Sequence, residues 1–331
     1  MTDSQEELRT AFLEIHPALE LIVADAKGWL ANACRELGIY APRIEGRAKE
    51  AHSFLLKVVR KQMEGRVYND PLVEISDKAG ARADLVYAAD VDRLVEHLKA
   101  ATGVFAPIED ADIDDKRGAF AADQVGYAGV HIDVTPLDKH GLAEEMARCE
   151  IQIRTNAQAA WAMASHSLVY KPLVDRTVAE KREINRLTTL LELFDEHVAL
   201  ALRAMRSDEN YPAAVIIDTL EAARIRFVGS DHDRVLTREM ALDLAPSDDA
   251  EAAERFARDL ESFVQDHATR LKDVLTGTRP ALLAQPEAIL VFMLLERDPF
   301  ETQEAWRATG LPDGMLQDMA SVWGVVSPDP L

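Results

Sequence analysis

The amino-acid sequence predicts an α/β chain of the α+β kind: a mixed sheet flanked by helices, followed by an all-helical C-terminal region. Three observations predict this. Short apolar or alternating runs, Ala83 to Tyr87, Val104 to Phe105, Val130 to Val134 and Cys149 to Ile153, have the period and β-branched content of strands. Longer stretches with apolar residues at helical spacing lie before, between and after them. Past Asn210-Tyr211-Pro212 the strand signals stop, and only helical segments separated by Gly/Pro turns follow.

Taken in order, residues 5–37 read as helical, in two pieces around Pro17, because proline removes a hydrogen bond from a helix interior. Gly46 to Met63 reads as a helix. Asp77 precedes a Gly80 turn and a strand beginning near Arg82. Val91 to Ala100 carries Val91, Leu94, Val95 and Leu98 at helical spacing. Residues 156–170 and 177–206 read as helices again. A length of 331 residues suits about two domains. The composition shift places a boundary near 207–213, giving domains 1–206 and 213–331. In the second, Ser247 before Asp248, Asp249 and Glu251 is a helix start, and Ala284 to Glu296 is a strongly apolar helix. Trp306 and Trp323 follow on helices, which read as a small helical core. The sharper reading is an interaction surface, for a homo-oligomer or a protein partner.

The net charge is −21, from 37 basic and 58 acidic residues, split as −8 over residues 1–206 and −13 over 207–331. Such a surface repels nucleic acid and anionic membranes, so DNA is not an expected partner, while a local basic pocket is still able to hold phosphate. Cys34 and Cys149 are too few for a disulfide framework and form no CxxC pair, which reads as a reduced, cytoplasmic protein. The N-terminus lacks the layout of a signal peptide, and the longest apolar run, Ala288 to Leu295, falls far short of the ~20 residues that span a bilayer.

Four segments carry residues suited to chemistry. In GRAKEAHSFLLKVVRK, residues 46–61, a helix places Lys49, Ser53 and Lys57 on one face with Arg47 just before, a set suited to a polyphosphate. The spacing is equally that of a solvated basic face. In EISDKAGARADLVY, residues 74–87, Asp77 beside Arg82 can offer Mg²⁺ hard oxygen, or be a turn aspartate. In QVGYAGVH, residues 124–131, Gly126 and Gly129 allow close approach, Tyr127 offers a ring for stacking on a base, and His131 enters a strand. In CEIQIRTNAQAAWAMASHSLVYK, residues 149–171, Glu150, Gln152 and Arg154 point to one face of a strand and Ile151 and Ile153 to the other; a helix with Trp161, His166 and Tyr170 follows. No Walker A, GxGxxG, GxSxG or HExxH motif occurs, and His232-Asp233 stands isolated.

In this order the segments GRAKEAHS with Lys57, DKAGAR, GYAGVH, and EIQIRT with WAMASHSLVYK resemble the synthetase domain of the RelA/SpoT family, the (p)ppGpp synthetases, and above all the small alarmone synthetases. The resemblance covers about 40–206; residues 213–331 match nothing in it. It implies a nucleotidyltransferase-like fold and transfer of pyrophosphate from ATP to the 3′-hydroxyl of GDP or GTP. It places Arg47, Lys49, Ser53, Lys57 and Arg82 on the ATP, and Asp77 and Glu150 on Mg²⁺, with Glu150 also activating the acceptor hydroxyl. Tyr127 then stacks on the acceptor base, and His131, Gln152, Arg154 and His166 line the same cleft.

Departures from the family pattern lie in the acceptor half. The stretch where the family carries a basic pair reads Ala121-Ala122-Asp123-Gln124-Val125, with Lys116 and Arg117 displaced. Ser165 stands where a glutamate is common, and Ala159 where a polar residue is common. Two further readings follow: a toxic family member that pyrophosphorylates tRNA 3′ ends or adenine nucleotides, and a degenerate nucleotide-binding module that regulates a partner.

Overall fold

Five short segments, each alternating polar with small or apolar residues, pair into one mixed sheet. The computed structural model describes residues 3–118, 129–168, 177–206, 211–229, 233–245, 250–277, 283 and 285–326. Two compact units result: Met1–Cys34 with Pro42–Ala199, and Arg35–Ala41 with Leu200–Leu331.

The first helix, α1 (Asp3–Glu36), runs unbroken through Pro17 and corrects the expectation of two pieces. Its buried stripe of Phe12, Leu19, Val23, Ala26, Leu30 and Ala33 continues on both sides of the proline. Burial along that stripe outweighs one missing hydrogen bond. The single helix expected over Gly46 to Met63 is also corrected. It is a strand, β1 (Arg43–Ala48), followed by helix α2 (Ala51–Met63). Arg43, Glu45 and Arg47 alternate with Ile44, Gly46 and Ala48, and that period-2 pattern is satisfied by pairing with a neighbouring strand. Gly46 is required there, because a Cβ would come within 2.8 Å of Val23 on α1.

A one-turn helix, α3 (Pro71–Glu74), is capped by Asp70, whose carboxylate accepts the Leu72 N–H at 2.9 Å. Strand β2 (Ala79–Leu85) then begins earlier than expected, so Gly80 lies within the strand and Arg82 at its middle. Helix α4 (Ala88–Ala100) buries Val91, Leu94, Val95 and Leu98 and packs against the sheet. Val104 and Phe105 do not form a strand; Phe105 makes a single bridge to Pro136. Strand β3 (Ile113–Asp115) went unread because three residues, two of them acidic, give no periodic signal. Strands β4 (Val130–Val134) and β5 (Cys149–Thr155) lead into helices α5 (Asn156–Leu168) and α6 (Val178–Arg206). The strand order is β1-β2-β5-β4-β3; β2 and β5 run parallel and the other pairs antiparallel. Cys34 and Cys149 are both buried, and burial pushes each thiol up to about 12.

The second unit holds helices α7 (Tyr211–Phe227), α8 (Arg234–Leu244), α9 (Ala250–Asp266), α10 (Ala268–Thr276), α11 (Glu287–Arg297), α12 (Pro299–Ala308) and α13 (Asp313–Trp323). Helix α11 is buried nearly all round, from Glu287 to Leu295, and is its centre. Trp323 stacks on Phe292 at 4.6 Å between ring centroids and donates its indole N–H to Glu296 at 2.9 Å. Ser247, expected to cap a helix, lies outside the described residues. No helix among the described residues is long and apolar enough to cross a membrane.

One buried acid is expected to make this unit sensitive to pH. Glu287 is wholly buried; its Oε2 accepts the Thr237 hydroxyl at 3.0 Å, and its Oε1 has no partner among the described residues. Burial pushes its carboxyl up to about 7. A carboxyl whose folded pKa is raised contributes stability that is fully present below the unfolded value and is lost as pH rises through the folded one. The unit is therefore expected to be less stable at about pH 8 than at about pH 5, by up to roughly 3 kcal/mol, and Glu287→Gln to remove most of that difference. Urea unfolding of both proteins at the two pH values checks this; an equal pH dependence in the two would refute it.

Candidate active site

The register of the sheet turns alternation into rows. Arg47, Gly80, Glu150 and Asp133 form one row across β1, β2, β5 and β4; Glu45, Arg82, Gln152, His131 and Asp114 form the next across all five strands. Arg43, Asp84 and Arg154 form a third. The intervening rows are apolar across β2, β5 and β4, with Ala81, Ile151 and Ile132 buried at the centre. One face of the sheet is therefore core and the other a charged surface. Gly129 enters β4 so close to β5 that a Cβ would lie 2.6 Å from the Arg154 Cβ, so it serves strand packing.

Over the charged face lies a cleft of about 300 Å³, lined by Glu45, Arg47, Lys49, Asp77, Gly80, Arg82, Glu150 and Gln152 among others. Asp77 sits in the loop between α3 and β2. Its Oδ2 accepts from Lys49 at 2.5 Å and from Lys57 at 2.8 Å, while its Oδ1 is buried without a hydrogen-bond partner among the described residues. Burial acts to raise the Asp77 carboxyl, but the hydrogen bonds from the two lysines outweigh it, and the net shift is downward. Lys49 is lowered, because burial outweighs its bond to Asp77.

Glu150 projects from β5. Burial acts to raise it too, and the bonds from His131 Nδ1 at 3.0 Å and Gln152 Nε2 at 2.7 Å turn the net shift downward. Lys116 Nζ lies 3.4 Å from the same His131 nitrogen. A lysine cannot accept, so His131 Nδ1 serves either as donor to Glu150 or as acceptor from Lys116; the shorter contact assigns its proton toward Glu150. On the β1 side, Glu45 pairs with Arg43 and Arg82, and Arg154 Nε donates to Asp84 at 2.7 Å.

The residues expected from the sequence are distributed as follows. Arg47, Lys49, Asp77, Arg82, Glu150 and Gln152 line the cleft, and Lys57 and His131 reach it through Asp77 and Glu150. Lys49, Ser53 and Lys57 do not share one helix face, which corrects the expectation. Arg47 is on β1, Lys49 follows the strand, and Ser53 and Lys57 lie on α2. Ser53 is exposed and does not line the cleft. Arg154 is turned to Asp84. His166 is on α5, and Tyr127, with Ala122 and Asp123, lies outside the described residues. Ala159 and Ser165 are on α5, and the Ser165 hydroxyl donates to the Ala162 carbonyl of its own helix at 3.3 Å. Sequence reasoning missed Glu45, Asp84 and the inward turn of Lys116. The alternation Arg43-Ile44-Glu45-Gly46-Arg47 and the i,i+2 pair Arg82 and Asp84 were the available signals.

Chemically, the arrangement is suited to a polyphosphate. Among the lining residues Arg47, Lys49 and Arg82 face Glu45, Asp77 and Glu150, so the cleft is close to neutral within a chain of net charge −21. Two ionised carboxylates, one with an unpartnered oxygen, suit a hard divalent cation that takes its remaining ligands from phosphates and water. No cluster of three or more His, Cys, Asp or Glu ligands occurs among the described residues.

Residues 46–174 match the family model described as a region found in RelA / SpoT proteins. That stretch of the chain thus corresponds to a region found in RelA / SpoT proteins. Among solved structures the chain is similar to the small alarmone synthetase 1 from Bacillus subtilis, at 24% identity and TM-score 0.49 over 60% of this chain and 99% of that one. The structure of that synthetase bound to its product pppGpp matches at 22% identity and TM-score 0.49, over 60% and 100% of the two chains. A GTP pyrophosphokinase family protein from Streptococcus pneumoniae matches at 24% identity and TM-score 0.47, over 62% and 97%. No curated protein gives a significant match.

Proposed function

We propose that this chain is a Mg²⁺-dependent pyrophosphokinase that transfers pyrophosphate from ATP to the 3′-hydroxyl of GDP or GTP, making (p)ppGpp. The observation that carries this reading is the pairing of two ionised carboxylates, Asp77 and Glu150, with the cations of β1, α2 and β2 in one cleft. The family match over 46–174 supports it.

Arg47, Lys49, Lys57 and Arg82 bind the donor triphosphate, with Ser53 at the outer end of that surface. Lys49 and Lys57 exchange Asp77 for phosphate oxygens as the donor arrives, which costs little because both partners are charge-assisted. Mg²⁺, when bound, would be held by Asp77, through its unpartnered Oδ1, and by Glu150, and it supplies charge neutralisation at the transferred phosphates. Glu150 takes the proton of the acceptor hydroxyl. The freed oxygen forms a bond to the β-phosphorus, the bond from that phosphorus to the oxygen bridging to the α-phosphate breaks, and AMP leaves with that oxygen. His131 and Gln152 hold Glu150 in place. Tyr127, Arg154 and His166 complete the acceptor side. Residues 1–206 would then be the synthetase part and 213–331 a helical domain available to a protein partner or a second copy, in a cytoplasmic protein.

The test incubates the purified chain and Mg²⁺ with γ-labelled ATP and, in parallel, GDP, GTP, ATP or bulk tRNA. Label on guanosine nucleotides is expected. Label only on tRNA or adenine nucleotides would assign the chain to the toxic branch, to which the inward-bonded Ser165 hydroxyl points. Nucleotide binding without transfer would leave a regulatory module.

A further inference from the structure

Asp84 is the most deeply buried carboxylate on the charged face, at 2% side-chain exposure. It stands on β2 in register with Arg154 on β5 and two residues beyond Arg82. Arg154 Nε donates to its Oδ1 at 2.7 Å, and Arg82 Nε lies 3.6 Å from its Oδ2. A carboxylate so far from water persists only where cations compensate it. The two arginines have unequal second partners. Arg82 also pairs with Glu45, which is 40% exposed. Arg154 makes no other ion pair among the described residues, and it is itself only 11% exposed.

This inequality separates exchangeable partners from permanent ones. An arriving phosphate competes with Glu45 for Arg82 at modest cost, since Glu45 can return to water. Asp84 cannot, and it keeps its hold on both guanidinium stems. The Arg82 Nε, buried and without a hydrogen bond among the described residues, already faces Asp84. Arg154 is hydrogen-bonded near its stem to this buried carboxylate and Arg82 is ion-paired with it across 3.6 Å, so the outer nitrogens of both are directed from one fixed point. Arg82 flanks the lysines around Asp77, and Arg154 lies one row from His131 and Gln152. Asp84 therefore stands between an arginine that lines the cleft and an arginine on the neighbouring strand.

We infer that Asp84 is a positioning residue that clamps Arg82 and Arg154 from below, aiming both at the anionic groups of donor and acceptor. This rests on the proposed transfer reaction for its kinetic consequences and on the ion pairs alone for the clamp itself. A permanent anion under two arginines lowers their net attraction for phosphate, so the residue acts through orientation; removing it frees charge but loses aim.

The experiment compares wild type, Asp84→Asn, Arg154→Gln and the double variant. KM for ATP, KM for GDP and kcat are measured, with affinity for the α,β-methylene analogue of ATP by calorimetry and urea stability for each. For Asp84→Asn, both KM values are expected to rise about tenfold with kcat changed by less than about threefold, since positioning is felt in binding. The double variant is expected to match Arg154→Gln in acceptor KM, because the clamp has nothing left to aim there. A rise in KM in Asp84→Asn that multiplies with the Arg154→Gln effect would overturn the inference, as would tighter nucleotide binding in Asp84→Asn. Should Asp84→Asn fail to fold, the comparison of Arg154→Gln with the double variant still decides. Absence of transfer with every acceptor in wild type would refute the proposed reaction; the analogue affinities and the double-mutant cycle in urea would still decide on Asp84, independent stabilities overturning it.

Discussion

Asp77→Asn is expected to lower pyrophosphoryl transfer by roughly a thousandfold, equivalent to about 4 kcal/mol of transition-state stabilisation. The substitution keeps the shape of the side chain and removes its charge. Oδ2 now accepts two lysine N–H groups at 2.5 and 2.8 Å; an asparagine satisfies them with a neutral oxygen at best, and its amide nitrogen, facing them instead, would oppose donors with a donor. Lys49 and Lys57 are then left as uncompensated cations where the proposed divalent ion would sit. The effect should appear as a lost response to Mg²⁺ titration with ATP affinity retained, since the lysines remain free to bind phosphate. Stability provides the control. Because the folded pKa of Asp77 is lowered, its contribution is present above the unfolded value and is lost as pH falls through the folded one. The Tm gap between wild type and variant should therefore narrow on moving from neutral pH to below about pH 4. Transfer at more than a tenth of the wild-type rate in a folded variant would remove Asp77 from the mechanism.

What was legible in the sequence followed from periodicity backed by burial. Cys149-Glu150-Ile151-Gln152-Ile153-Arg154 alternates cleanly, and β5 buries its odd-numbered positions while its even-numbered ones form the charged face. Val130 to Val134 is a strand over the residues expected. Val91 to Ala100 is helical because Val91, Leu94, Val95 and Leu98 make one apolar stripe. The errors came where local pattern competed with non-local pairing. Arg43–Ala48 has too little apolar content to read as a strand, and it becomes one because β2 offers a partner in register and α1 a close neighbour at Gly46. Lys49 and Lys57 were grouped by helical spacing, yet what brings them together is Asp77, a residue 28 positions from one and 20 from the other. The same limit hid Asp84, whose role depends on a strand 70 residues away. Motif spacing named most of the cleft; the counter-ions that hold its cations come from strand pairing, which spacing does not encode.

Glu150→Gln is expected to lower kcat by about 10²- to 10⁴-fold, the range for removing a general base, while the KM for ATP changes by less than about threefold. Both carboxylate oxygens are committed to donors, Oε1 to His131 Nδ1 and Oε2 to Gln152 Nε2. A glutamine has one acceptor oxygen for these two donors, so one of the pair must turn away, and in the proposed reaction the acceptor hydroxyl would lose the group that takes its proton. Donor binding should be spared, because the proposed donor cations stand on β1, α2 and β2 and in the link between β1 and α2. The lowered pKa of Glu150 carries a second consequence. A carboxyl held below its ordinary 4.5 stays ionised throughout the neutral range, so the acid limb of wild-type kcat/KM should lie below about pH 4.5. His131 contributes to that lowering; His131→Phe removes its hydrogen bond and should move the limb upward with little change in the plateau for ATP binding. Wild-type kinetics with an acid limb well above pH 4.5 that stays in place in His131→Phe would assign the proton acceptor to a group other than the Glu150 carboxylate.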